Sequence, residues 1–160
     1  MSRQNPTVII ALGGNAISPK HESGDIEKQF EHTRESLDAM MHFINERYNI
    51  CITHGNGPQV GAELLKNEIT KDKIPSLPLG ILVANTQGAI GYMIQQTLQN
   101  ALQKKDIDRE VVTFISQVIV DKDDPTIQNP TKYIGKTYNT EEAKKLSIEH
   151  GWNIKEQENG

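Results

Sequence analysis

Two short apolar runs, each broken off by glycine, constrain this chain more than any other feature. Residues 7–12, Thr-Val-Ile-Ile-Ala-Leu, are continuous and β-branched and stop at Gly13-Gly14-Asn15. Residues 50–54, Ile-Cys-Ile-Thr-His, run straight into Gly55-Asn56-Gly57-Pro58. An apolar run without polar alternation suits a strand buried on both faces, the habit of parallel sheets. Helical spacing follows each run. Between 25 and 47 the apolar positions Ile26, Phe30, Leu37, Met40, Met41 and Ile44 form one stripe behind Asp25, a suitable N-cap, and the methionines read as core filler. Pro58 suits the first position of a second helix, and residues 64–77 read as a short helix followed by a loop. The longest helix is expected over 79–104, where Gly80, Gly88 and Gly91 signal the close approach of another element or a ligand. A third buried strand is expected over 111–115, continuing through Val118, Ile119 and Val120. Strand and helix thus alternate as in a parallel α/β sheet with right-handed crossovers.

The pattern then breaks. Residues 121–139 lack periodicity and contain Pro125 and Pro130, so they read as a functional connection or a small projecting lobe. A short helix is expected over 140–148, with Asn139 and Glu142 at capping-box spacing. At 160 residues the chain has room for one core. Its net charge of -4, with no basic block, argues against nucleic acid as the main partner. No apolar run reaches the ~20 residues of a membrane span, and residues 1–6 lack a signal peptide's apolar segment. Cys51 is the only cysteine, which excludes an intrachain disulfide and a Cys-rich zinc site. The sequons at Asn5 and Asn129 carry Pro in the middle position and are void. A soluble, cytoplasmic chain is the expectation.

The glycine turns are the sharpest candidates for chemistry. Each follows a strand and opens a helix, so in an open α/β sheet both sit at the carboxyl ends of the strands, where ligands bind. Missing side chains let the backbone approach a ligand, and consecutive N–H groups can face an anion together with the positive end of a helix. Two such turns side by side make a cradle for a phosphoryl group; the alternative is that the glycines serve only tight turns. Neither turn matches the Gly-x-Gly-x-x-Gly dinucleotide fingerprint or the Gly-x-x-x-x-Gly-Lys-Ser/Thr phosphate loop, which disfavours hydride transfer and that class of nucleotide site. Cys51, mid-strand among aliphatics, reads as an inert core thiol. His54 adjoins the second turn and reads first as a structural hydrogen-bonding residue. His21, His32, His42 and His150 show no metal spacing, and Asp121, Asp123 and Asp124 read as a solvated turn rather than a calcium loop. No metal ligands are assigned. Lys132, on its own evidence, is a surface lysine.

Four segments together resemble one family. They are Ala11-Leu12-Gly13-Gly14-Asn15-Ala16, His54-Gly55-Asn56-Gly57-Pro58-Gln59-Val60-Gly61, Gln87-Gly88-Ala89-Ile90-Gly91-Tyr92 and Asn129-Pro130-Thr131-Lys132. Their order and context resemble carbamate kinase, of the amino acid kinase family, and the likeness runs from about Thr7 to the end of the chain. It implies a three-layer αβα sandwich with a mainly parallel sheet plus a small projecting lobe. Residues 1–120 would form the N-terminal carbamate- and phosphoryl-binding domain, and residues 121–160 the start of the lobe. The C-terminal nucleotide-binding domain would lie outside these 160 residues, leaving an apolar sheet edge without neighbours.

The implied reaction is reversible phosphoryl transfer between ATP, with Mg2+, and carbamate, giving carbamoyl phosphate and ADP. The resemblance assigns Gly13, Gly14 and Asn15 to the phosphoryl group and Gly55, Asn56 and Gly57 to the carbamate side. Related kinases carry a lysine two residues before the Gly-Gly pair, where this chain has Ala11; the resemblance makes Lys132 the substitute cation, delivered by a mobile flap. Tyr133 and Lys136 depart from the family pattern. The likeness also implies a homodimer joined through this half and a place in arginine metabolism. The competing expectation is a catalytically inactive fragment that binds an anion or dimerises.

Overall fold

The computed structural model describes residues 5–18, 25–131, 134, 138–152 and 154. β1 (Thr7–Leu12) and β2 (Asn49–His54) pair in parallel, from Thr7 opposite Asn49 to Leu12 opposite His54. Among the described residues they form a two-stranded sheet. In this register Val8, Ile10, Leu12, Ile50, Ile52 and His54 share one face and are buried or half-buried. Ile9, Ala11, Cys51 and Thr53 share the other and are exposed. The expectation of burial on both faces is therefore corrected: helices cover one face, and no described element covers the other. Cys51 is an exposed thiol for that reason rather than a core one.

The first crossover contains α1 (Gly14–Ile17), α2 (Ile26–Asp38) and α3 (Met41–Asn45). Asp25 caps α2 as its position suggests, accepting the Lys28 N–H at 2.9 Å. The single helix expected over 25–47 is instead interrupted near Met40, whose N–H reaches back only three residues, to Leu37 O at 2.9 Å. This tighter turn leaves Met40, Met41 and Ile44 all buried. β2 leads into α4 (Gly57–Thr70), in which Pro58 is the second residue rather than the first. α4 thus begins well before the short helix read at 64–77. Then comes α5 (Leu79–Gln103), with the length its periodicity predicts. The core joins Leu12, Ile17, Leu37, Met40 and Ile44 to Ile90, Met93, Ile94, Leu98 and Leu102 of α5.

The third strand is not formed. Residues 111–120 have no strand partner among the described residues and run back along α5 instead. Their polar contacts go to that helix. Val111 donates its N–H to Gln99 Oε1 at 3.0 Å, Thr113 its hydroxyl to Gly91 O at 3.0 Å, and Ser116 its N–H to Gln87 Oε1 at 2.9 Å. Gly91 permits this approach, since a Cβ there would collide with the Thr113 methyl. With no strand alongside, Phe114 is 85% and Ile119 97% exposed. This is the uncovered apolar edge that the sequence implies.

Past residue 120, α6 (Pro125–Gln128) is a short helix within the stretch that lacks periodicity; Asp124 caps it through Thr126 N–H at 2.8 Å. α7 (Thr140–His150) matches expectation, with Asn139 accepting the Glu142 N–H at 2.9 Å. No described helix is long and apolar enough to cross a membrane.

Candidate functional site

β1 and β2 end level with one another, so their glycine turns emerge side by side. The ladder continues into the second turn, where Gly55 N–H donates to Leu12 O at 3.3 Å. A Cβ built on Gly55 would stand 4.0 Å from Gly14 N, and one on Gly14 would stand 3.8 Å from Pro58 Cδ. The two turns therefore form one surface, as the sequence requires of a shared cradle.

Backbone conformation tests the tight-turn alternative. Among the described residues the glycine with left-handed φ is Gly151, at the end of α7. Gly13 caps α1 at φ -67 and ψ 160, a conformation open to any residue. Internal packing does not require glycine at the tips either: a Cβ on Gly13 or Gly57 would meet nothing within 4 Å. Neither strain nor packing accounts for glycine at these two positions, so the space they leave open is free for a ligand.

α4 begins inside the second turn. Its 14 residues aim their positive end at this surface. Val60 N–H is bonded to Asn56 O at 2.9 Å, whereas the earlier amides of the first turn have no intrahelical acceptor. Asn56, proposed from sequence as a ligand group, is anchored from behind. Its Nδ2 donates to Thr86 Oγ1 at 3.0 Å and to Val83 O at 3.4 Å, both on α5. The amide is thus a brace for the turn. His54 Nδ1 lies 3.3 Å from Gly55 O, in keeping with a structural role. Asn15 occupies the second position of α1.

Two residues behind the turn had no role at the sequence level. Thr86 hydrogen-bonds its own helix through Leu82 O and Val83 O while accepting from Asn56. Gln59 donates Nε2 to Gln29 Oε1 at 3.0 Å, and its own Oε1 is buried without a partner. Gln59 and Thr86 line a cavity of about 350 Å³ between α2, α4 and α5. The signal for Thr86 was its place beside the Gln87-Gly88 segment, but pairing it with Asn56 needs the fold.

Among the described residues no group of three or more His, Cys, Asp or Glu side chains could hold a metal ion. Asp121, Asp123 and Asp124 are exposed, as expected of a solvated turn. Thr126 holds the Asp124 carboxyl below its ordinary range by hydrogen bonds from its hydroxyl and its N–H. Lys132, Tyr133 and Lys136 lie outside the described residues.

A scan against protein-family models finds no match. Individual proteins do match. The chain is 47% identical over 151 residues to the carbamate kinase of Pyrococcus horikoshii, covering 93% of this chain and 48% of that one. The chain matches the N-terminal half of carbamate kinases. The carbamate kinase of Trichomonas vaginalis is 39% identical, again over 93% of this chain and 48% of that protein. Among solved structures, carbamate kinase from Giardia lamblia bound to citric acid superposes with a TM-score of 0.89 at 36% identity, covering 94% of this chain and 48% of that one. The same Giardia enzyme bound to AMP-PNP gives a TM-score of 0.79, covering 96% and 49%. The chain spans about half the length of the curated relatives it matches. This chain thereby has the α/β amino acid kinase fold of those carbamate kinases, over about half the length of each.

Proposed function

We propose that these residues are the carbamate- and phosphoryl-holding half of a carbamate kinase. That enzyme moves a phosphoryl group reversibly between ATP and carbamate, linking carbamoyl phosphate with ADP. The observation that carries the reading is the open space at Gly13 and Gly57, which neither dihedral angles nor packing explain. Phosphoryl transfer depends mainly on positioning and on stabilising charge over the equatorial oxygens, so a backbone cradle is suitable machinery. In this reading the N–H groups of Gly13, Gly14 and Asn15 hold the transferring phosphoryl. Gly55, Asn56 and Gly57 position the carbamate, with the Asn56 side chain bracing the turn from α5. Lys132 supplies the cation that Ala11 does not, brought in by the lobe.

The nucleotide belongs to the part of the enzyme beyond this match; AMP-PNP in the Giardia relative supports ATP as donor. Magnesium finds no protein ligand set among the described residues. Exposed Leu79, Ile81 and Tyr92 on α5 support a homodimer formed through this half. The reading also places the protein in the cytoplasm and in arginine metabolism.

The test separates binding from turnover. Carbamoyl phosphate added to isotopically labelled chain is expected to move the amides of residues 13–15 and 55–57 saturably; a titration that leaves them still overturns the assignment. In a coupled ATP-forming assay with ADP, the full-length enzyme is expected to turn over and its Lys132→Ala variant to lose about 100-fold or more. Unchanged turnover in that variant removes Lys132 from the mechanism.

A further inference from the structure

At the end of the sheet opposite the glycine turns lies a second concavity. Three stretches of chain meet there: the approach to β1 at Asn5, the turn from α3 into β2, and the exit from α5 at 107–109. The cavity measures about 500 Å³, within the ~300–1,000 Å³ range of small-molecule sites. Arg47, Arg109, Asn45, Asn49 and Asp108 supply its polar lining over Ile44.

The charges in it are unbalanced. Among the described residues neither guanidinium forms an ion pair. Arg109 Nη1 is closed off from solvent with no hydrogen-bond partner. A cationic N–H removed from water and left unpaired is costly, and an anion held in the cavity by the rest of the arginine pair would offset that cost through its charge rather than by contact. Arg47 adds a second signal. It sits at φ 61, just beyond α3, and its N–H donates to Ile44 O at 3.0 Å. Glycine ordinarily takes such a left-handed position at a helix end. An arginine there carries backbone strain that its side chain must justify.

We propose that this cavity binds a small oxyanion, the carboxylate or phosphoryl group of a metabolite, between the Arg47 and Arg109 guanidiniums. The planar fork of each arginine matches two oxygens of such a group. Asp108 leaves one positive charge in excess, which favours a singly charged head group over a polyanion. The neutral amides of Asn45 and Asn49 are placed for the body of the ligand, although Asn49 Nδ2 already donates to Asn5 O at 3.2 Å. The site is independent of the glycine turns, which occupy the other end of the strands.

Acetate and inorganic phosphate are the probes, each titrated into isotopically labelled chain while backbone amides are followed. Saturable shifts at residues 47, 49 and 107–109 are expected, separate from any at 13–15 and 55–57. The stronger of the two probes identifies the head group. Arg47→Gly is expected to weaken binding at this end about tenfold or more while leaving the melting temperature unchanged or higher, because the strain is relieved. Arg109→Met is expected to abolish the shifts and keep the fold, an apolar stem replacing an unpaired donor. Shifts confined to the glycine turns, no saturation by about 100 mM, or equal affinity in both variants would each overturn the site.

Discussion

At Gly13 and Gly57 a methyl group would enter empty space, whereas the Asn56 amide is already engaged with Thr86. The two kinds of residue should fail differently. Gly57→Ala lies at the first position of a helix, so it is expected to fold at least as well as the parent, by up to about 1 kcal/mol. Its affinity for carbamoyl phosphate is expected to fall about tenfold or more as the methyl meets the ligand. Thermal melting and amide titration on the same sample check both halves of that statement. Asn56→Ala and Thr86→Val remove the two ends of one hydrogen bond. Each should destabilise by about 1 kcal/mol, and the double variant by less than the sum, with a coupling of about 0.5–1.5 kcal/mol. A strictly additive cycle in denaturant unfolding would separate the two residues. At this scale the glycine strings themselves were plain in the sequence. The bracing role of Asn56 was not, because its partner lies 30 residues away on another helix.

Among the elements, α5 makes the sharpest demand, since glycines along it occupy contrasting surroundings. Gly91 faces the Thr113 methyl at a separation no Cβ tolerates, while Gly80 faces open space. Gly91→Ala is expected to lower stability by about 1–3 kcal/mol, outweighing its gain in helix propensity. Gly80→Ala should be neutral or slightly stabilising, and melting temperatures of the pair give the comparison. The cap of α6 adds a pH dependence. Hydrogen bonds from Thr126 depress the Asp124 carboxyl below its ordinary 3.8. Its contribution is therefore complete above the unfolded-state value and is lost as pH falls through the lower, folded one. Amide titration of Thr126 should give a midpoint under 3.8, and Asp124→Ala should remove it. Helical spacing made α5 and α7 legible, with Asp25 and Asn139 as their own punctuation for α2 and α7. The interruption near Met40 was not legible, because the apolar stripe runs through it unbroken.

Over the whole molecule the dominant fact is surface that no described element covers. Residues 111–120 are strand-like in composition, which is why the sequence predicts a strand there. A ladder also needs a neighbour, and here the glutamines of α5 satisfy part of the backbone instead. The same reason undid the burial of Cys51, since covering a sheet face depends on a layer that local sequence does not describe. Phe114, Val118 and Ile119 are left facing water, a template for association. Replacing Phe114 with Ser and Ile119 with Lys is expected to reduce light scattering of the concentrated chain without lowering its melting temperature. A drop in melting temperature would mean these side chains are packed after all.

The pairing of β1 with β2 has one more consequence, for tolerance to error. Sliding one strand by a single residue would carry Gly55 about 3.3 Å from its seat beside Gly14 and turn every inward side chain outward. The gap between the two loops is thus inherited from the repeat of the peptide ladder. Remote changes that weaken the strand pairing should show first as lost accuracy of grip on an anion, before any loss of folded protein.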